Sequence, residues 1–431
     1  VGGSNPSPAT NSMHQLKILN KKKVDLNIIL TFLFISFPIA IILGNLLINV
    51  FIFLISILYL IKNFNRSLVV NKTFLLLTFL LFSLLINFFY TQNIDLSYQR
   101  VLKFFFIIFF VLSFQYLINQ NKSYDKIIFK SWFYILSIVV LDLIIEFNLG
   151  YNSLGMKSYM PGRLAGFFND ELVVGYFYLG FIFFSFSFLY KKYHSSKLFV
   201  IFLYFFIIFI SLIIGERSNL IKLFIGISII IFLILELSIV KKVIFSLLII
   251  IISITFIVSN QSYKVRYYDQ LKVFFQPQGL DQYLKSSEYG AHYNTAYKMF
   301  QQNKIFGVGI KNYRVETFKE KYRSDEYKFS RTSVKTHPHQ IHFEFLAETG
   351  LFGYCSFLIF IIFSIFLATK NYFKFRNIYQ LSAIIFVLIS LIPYLPSGSF
   401  FSTFNSSVFW LNYAIMMGYI KNIQLDFKFR L

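Results

Sequence analysis

Uncharged apolar runs long enough to cross a bilayer recur along this chain, and they constrain its fold more than any other feature. A run of about 17 to 25 apolar residues matches about 30 Å of hydrocarbon when helical. Such runs fall near 26–43, 45–61, 73–90, 101–119, 127–147, 171–190, 197–215, 218–235, 241–259, 350–369, 377–395 and 404–420. Inside hydrocarbon every backbone group must be paired within the chain, so runs of this kind become helices. The expected fold is therefore an all-α, polytopic membrane protein with about twelve transmembrane helices. A composition of 57% hydrophobic and 14% charged residues excludes a disordered chain. The single cysteine, Cys355, rules out an intrachain disulfide.

Placement of the charges orients the bundle. With an even number of spans both termini share a side, and 21 lysines and arginines of the tails and short loops fall on that side against 5 on the other. That bias places both termini in the cytoplasm. It also accounts for much of the net charge of +22 as topological, so nucleic-acid binding loses its motivation. The organisation expected is a cytoplasmic segment 1–25, spans one to nine over 26–259, an outer polar domain over 260–340, spans ten to twelve over 341–420 and a cytoplasmic tail 421–431. The first twelve residues precede Met13, have no signal-peptide character, and are expected to be non-native upstream sequence.

Segment 260–340 breaks the apolar monotony with 14 basic and 7 acidic residues. Tyr289, Tyr293 and Tyr297 recur at a spacing of four, and Phe306-Gly307-Val308-Gly309 signals a turn, so a mostly helical domain is expected.

Three features carry possible chemistry, all on the outer side. His337, His339 and His342 lie within Thr336-His337-Pro338-His339-Gln340-Ile341-His342, where His339 and His342 at i, i+3 are expected on one helix face. The readings are a capped helix start with Thr336 and Pro338, a zinc site with Glu344 or Glu348, and a catalytic or substrate-binding imidazole. Spacing disfavours zinc, because the cluster is not HExxH and Glu348 lies roughly 13 Å along a helix from His339. Arg217, in Gly215-Glu216-Arg217-Ser218, sits between two apolar runs. An arginine in a membrane segment costs about 2.5 to 3.5 kcal/mol, so it is kept for Glu216, for a lipid phosphate or for an anionic ligand. Arg163, in Gly162-Arg163-Leu164-Ala165-Gly166-Phe167-Phe168-Asn169-Asp170-Glu171, is a solvated loop charge or a third participant. Arginines beside an imidazole suit a diphosphate leaving group carried by a lipid, with the imidazole as base toward an acceptor hydroxyl. No GxxxxGK[ST] motif for ATP is present.

The stretch HQIHFEFLAETGLFG, from His339 and Gln340 to Gly350 and Gly353, resembles the histidine motif of the bacterial O-antigen ligase family. GRLAGFFND, GERSNL and Phe306-Gly307-Val308-Gly309-Ile310 are similar to that family's surrounding pattern, over about 160–360. Asp170-Glu171 departs from the small polar residues expected there. The resemblance implies glycan transfer from undecaprenyl diphosphate to lipid A core or another glycan acceptor, without metal or cofactor. The site then faces the periplasm at the inner membrane, with the large loop periplasmic. It places His339 and Arg217 in catalytic positions and Arg163 on the diphosphate. Arg314, Arg331, His337 and His342 are further candidates for substrate contact. An O-antigen polymerase or protein O-oligosaccharyltransferase shares the architecture. A transporter or flippase is disfavoured because the charged groups gather at one surface and not at the midplane.

Overall fold

The computed structural model describes residues 25–63, 71–121, 123–331 and 336–420. The segments 1–24 and 421–431, which carry most of the expected cytoplasmic tails, lie outside the described residues, as do Arg66, Lys122 and Lys335.

Nine long helices precede the polar segment: α1 (Leu26–Leu43), α2 (Asn45–Asn63), α3 (Lys72–Phe89), α4 (Ile94–Gln120), α5 (Ser123–Leu149), α6 (Val174–Tyr193), α7 (Lys197–Ile214), α8 (Arg217–Ile234) and α9 (Ile239–Ser259). The polar segment contributes α10 (Gly279–Ser286) and α11 (Glu288–Gln302), joined by short helical turns. The bundle closes with α12 (Ile341–Phe375), α13 (Ile378–Ser390) and α14 (Thr403–Gly418). Ten of these helices are long and apolar enough to cross a membrane, so the chain is an all-α, multi-pass membrane protein.

Aromatic residues fill the centre of the bundle. Phe34, Phe37, Phe110 and Phe114 pack from α1 and α4, and Trp132 of α5 donates its indole N–H to the Phe34 carbonyl at 2.9 Å. α4 and α6 are the most enclosed spans, whereas α9 turns Ile244, Leu247, Ile251 and Ile254 outward. An exposed apolar stripe of this kind is the lipid-facing surface of a membrane helix.

The last two spans differ from expectation. α13 has 13 residues and α14 has 16, so at 1.5 Å per residue they reach only about 20 and 24 Å. Pro393 and Pro396 lack a backbone donor and stop α13 early. The chain then runs non-helically over 391–402 at the same end of the bundle as the polar segment, where it walls the cavities described next.

Candidate active site

The first wall is built at the turn between α7 and α8. Gly215 adopts φ +81°, and a Cβ there would lie 1.9 Å from the Gly162 carbonyl, so only glycine lets the 160–166 loop press against this turn. The Leu164 amide donates to Ile214 O at 3.1 Å. This contact delivers Arg163, whose Nη2 lies 3.0 Å from a Glu216 carboxylate oxygen. Glu216 also accepts from the Gly175 amide at 3.0 Å and from the Asn219 side chain at 2.5 Å. The sequence offered Glu216 as a partner for its neighbour Arg217. In the fold Arg163 takes that carboxylate, and Arg217 salt-bridges no carboxylate among the described residues.

Arg217 instead donates to the Arg266 carbonyl at 3.1 Å. The Arg266 side chain returns to the same turn, where its Nε donates to Gly215 O. Burial lowers the Arg266 pKa to about 10, and the positive charges of Arg163 and Arg217 push it the same way. All three guanidinium groups, with Glu216, wall a cavity of about 660 Å³ whose remaining surface is largely apolar and includes Leu271, Phe274 and Tyr283. Two net positive charges thus face an apolar chamber at the edge of the bundle, an arrangement that attracts a doubly charged anion with a hydrophobic tail.

The histidine motif supplies the second wall. α12 begins at Ile341 with Gln340 as its cap, and the Gln340 Oε1 accepts from the His342 and Phe343 amides at 2.7 and 3.1 Å. Thr336 is therefore not the cap, and His339 does not share a helix face with His342. His339 precedes the helix at φ +57°, held by its carbonyl, which accepts from the Ser397 amide at 2.7 Å. Its ring packs on His337, on His292 and edge-on to Tyr289, with centroids 4.0, 4.8 and 5.9 Å away. His339 does not wall the arginine cavity itself; Tyr289 does.

α12 bends at Gly350, whose φ of +63° and contact with the Ile305 carbonyl leave no room for a side chain. The bend frees carbonyls that the glycine turn of the polar segment takes up: Val308 N donates to Ala347 O and Gly309 N to Glu348 O, each at 2.9 Å. Gly350 and the turn at 306–310 therefore form one docking unit that fixes this part of the polar segment to α12.

The other candidates divide. His342 donates from Nε2 to Leu391 O at 2.8 Å, and its Nδ1 lies 3.1 Å from the Tyr354 hydroxyl. His337 is driven down to about 2 by burial, then by the charges of His339, Lys311, His292 and Arg314. It is thus a neutral ring at any physiological pH, with Nδ1 against the Thr336 hydroxyl at 2.9 Å. Glu344 accepts from Ser399 and the Phe400 amide, and Glu348 from the Lys311 and Tyr313 amides. Both carboxylates are spent on holding loops to α12, which removes the ligands the zinc reading invoked. Arg314 is exposed and walls neither cavity. Arg331 pairs with Asp325 at 2.7 Å on the surface, with both side chains more than half exposed, and also lies off the cavities.

Sequence reasoning missed Arg266, His292 and the wall formed by Tyr394, Leu395 and Pro396. Arg266 was one of 14 basic residues in its segment with nothing in its spacing to mark it. The two prolines near the end of an apparent span were a usable signal for the wall.

The fold and site define a multi-pass membrane protein with a cationic, largely apolar chamber beside a histidine cluster. Residues 199–358 match the family model described as O-antigen ligase. The matched stretch runs from α7 into α12, contains Arg217, Arg266 and His339, and is similar to that family over this part of the chain. No curated protein matches the chain.

Proposed function

We propose that this protein transfers a glycan from undecaprenyl diphosphate to an acceptor sugar, lipid A core or another glycan, at the periplasmic face of the bacterial inner membrane. The observation that carries this reading is the gathering of Arg163, Arg217 and Arg266 around one largely apolar cavity next to the His339 cluster. The polyprenyl tail stays in lipid, and its diphosphate sits among the guanidinium groups. The acceptor hydroxyl attacks the anomeric carbon, the bond from that carbon to the diphosphate oxygen breaks, and the electron pair leaves with the lipid diphosphate. Arg217, which has no carboxylate partner among the described residues, stabilises the growing charge on that oxygen. His339 takes the hydroxyl proton as general base. In this scheme the chain's own arginines neutralise the leaving group, and no metal or cofactor takes part.

His339→Ala abolishes transfer from lipid-linked donor in membranes while insertion and expression remain unchanged; wild-type glycan attachment in that variant overturns the assignment. A polymerase or a protein O-oligosaccharyltransferase of the same superfamily differs in the acceptor. Accumulation of lipid-linked polymer in a deletion strain identifies a ligase, and loss of polymer with one repeat still attached identifies a polymerase.

A further inference from the structure

A second cavity of about 490 Å³ adjoins the arginine chamber, and the two share Leu284, Tyr293 and Tyr394 as a partition. We propose that this second cavity is a subsite for an uncharged sugar ring of the acceptor, a proposal that rests on the transferase reading above.

The walls set the ligand class. No Lys, Arg, Asp or Glu lines this cavity among the described residues, whereas three arginines and a glutamate line its neighbour. A phosphate or carboxylate placed here would lose its hydration with no cation in return. Tyr297, Tyr327 and Tyr354 offer ring faces for the C–H surface of a sugar and hydroxyls for its rim. Two amides complete the lining. The Nδ2 of Asn294 is buried with no hydrogen-bond partner among the described residues, a donor left for a ligand. Gln340 has its oxygen committed to the cap of α12, so its NH₂ is the group it can offer. The Tyr354 hydroxyl is positioned by His342, whose Nδ1 lies 3.1 Å away, and can exchange hydrogen bonds with a ligand at the rim.

Position supports the role. Tyr293 donates its hydroxyl to the Tyr394 carbonyl at 3.2 Å and stacks on Phe343, so the partition is fixed. Tyr394 itself is held at φ +61°, a strained conformation for a residue with a side chain. His339 lines neither cavity, but its ring lies against Tyr289 of the arginine chamber and its chain neighbour Gln340 lines the second cavity, so the histidine adjoins both.

The test uses the full chain in detergent and saturation-transfer NMR with methyl glucoside as the neutral probe and glucuronate as the charged one. Methyl glucoside gives a signal that falls roughly tenfold in Asn294→Leu and Tyr297→Ala, about the effect of one lost hydrogen bond or stacking contact. The signal persists in Arg217→Ala, and glucuronate at the same concentration gives none that depends on Asn294. If Asn294→Leu does not elute as monodisperse protein, Tyr354→Phe replaces it, since only a hydroxyl is removed. A methyl glucoside signal unchanged in these variants, or lost only in Arg217→Ala, overturns the subsite. Transfer from lipid-linked donor with an acceptor KM that the variants do not move overturns it too, while leaving the transferase reading intact. Sugar binding as described without any consumption of donor defeats the transferase reading instead.

Discussion

Two cavities share a partition but oppose each other in chemistry. One holds three guanidinium groups and a carboxylate; the other is walled by tyrosines and amides. The difference follows from what each must do with desolvated charge. Cations at the mouth of an apolar chamber are costly when empty, and the fold keeps them in place by giving Arg163 a carboxylate and Arg266 a backbone carbonyl. Among the described residues Arg217 has no carboxylate partner and donates to the Arg266 carbonyl, and in the proposed reading it is the guanidinium that meets the ligand. The uncharged cavity carries no such cost, so its polar atoms can remain unpartnered, as the Asn294 amide does.

The strongest way to break this contrast is to remove the carboxylate that holds the charged cavity together. Glu216→Ala strands Arg163 and leaves the Gly175 amide and Asn219 without an acceptor. Breaking a half-buried pair of this kind costs about 3 to 5 kcal/mol, read as a large fall in thermal midpoint together with loss of donor use. A fall no larger than that of Arg217→Ala shows that Glu216 is not the organiser of the chamber. Next in size, Arg217→Ala lowers kcat/KM for the lipid-linked donor by about a hundredfold, or roughly 2.7 kcal/mol, and barely moves the thermal midpoint because no ion pair is lost. An effect on acceptor KM in place of donor use places Arg217 on the wrong side of the partition.

A smaller effect separates buried histidine from base. His337 is held neutral by burial with a pKa of about 2 against an ordinary 6.5, so the unfolded chain binds a proton that the fold refuses. Stability is then full above pH 6.5 and falls as pH drops below it, by about 1.4 kcal/mol for each unit until the folded pKa is reached. His337→Gln flattens the fall in thermal midpoint between pH 6.5 and 5; an unchanged slope assigns the acid sensitivity elsewhere. Smallest of all, Arg331→Ala changes donor use and stability by less than about 0.5 kcal/mol, because its pair with Asp325 is exposed. Loss of transfer in that variant brings Arg331 into the site.

Much of the fold was legible before any coordinates. The twelve apolar runs correspond to helices within a few residues at most ends, because hydrocarbon leaves a long uncharged run little alternative to a helix. The Tyr289, Tyr293 and Tyr297 stripe became α11, and it faces both cavities because a spacing of four keeps side chains on one side of a helix. The ends of the runs were harder to read. Apolarity continued through 391–395 although Pro393 and Pro396 had ended the helix, and α13 proved shorter than a span. Partners were harder still, since Glu216 and Arg217 are adjacent in sequence but Glu216 is the extended residue before α8 while Arg217 begins the helix, and the carboxylate pairs with Arg163.

By itself the sequence determined that the chain is a bundle of membrane helices, that a basic, tyrosine-bearing segment interrupts it, and that costly arginines and clustered histidines mark places worth finding. These are local properties: transfer energy, period and spacing. Only tertiary structure decided that Arg163 meets Glu216, that Arg266 returns to Gly215 from beyond α9, and that Gly350 bends α12 to receive the 306–310 turn. Those pairings span 39 to 53 residues of chain. They are set by which surfaces pack and which backbone groups must be satisfied once the helices are side by side.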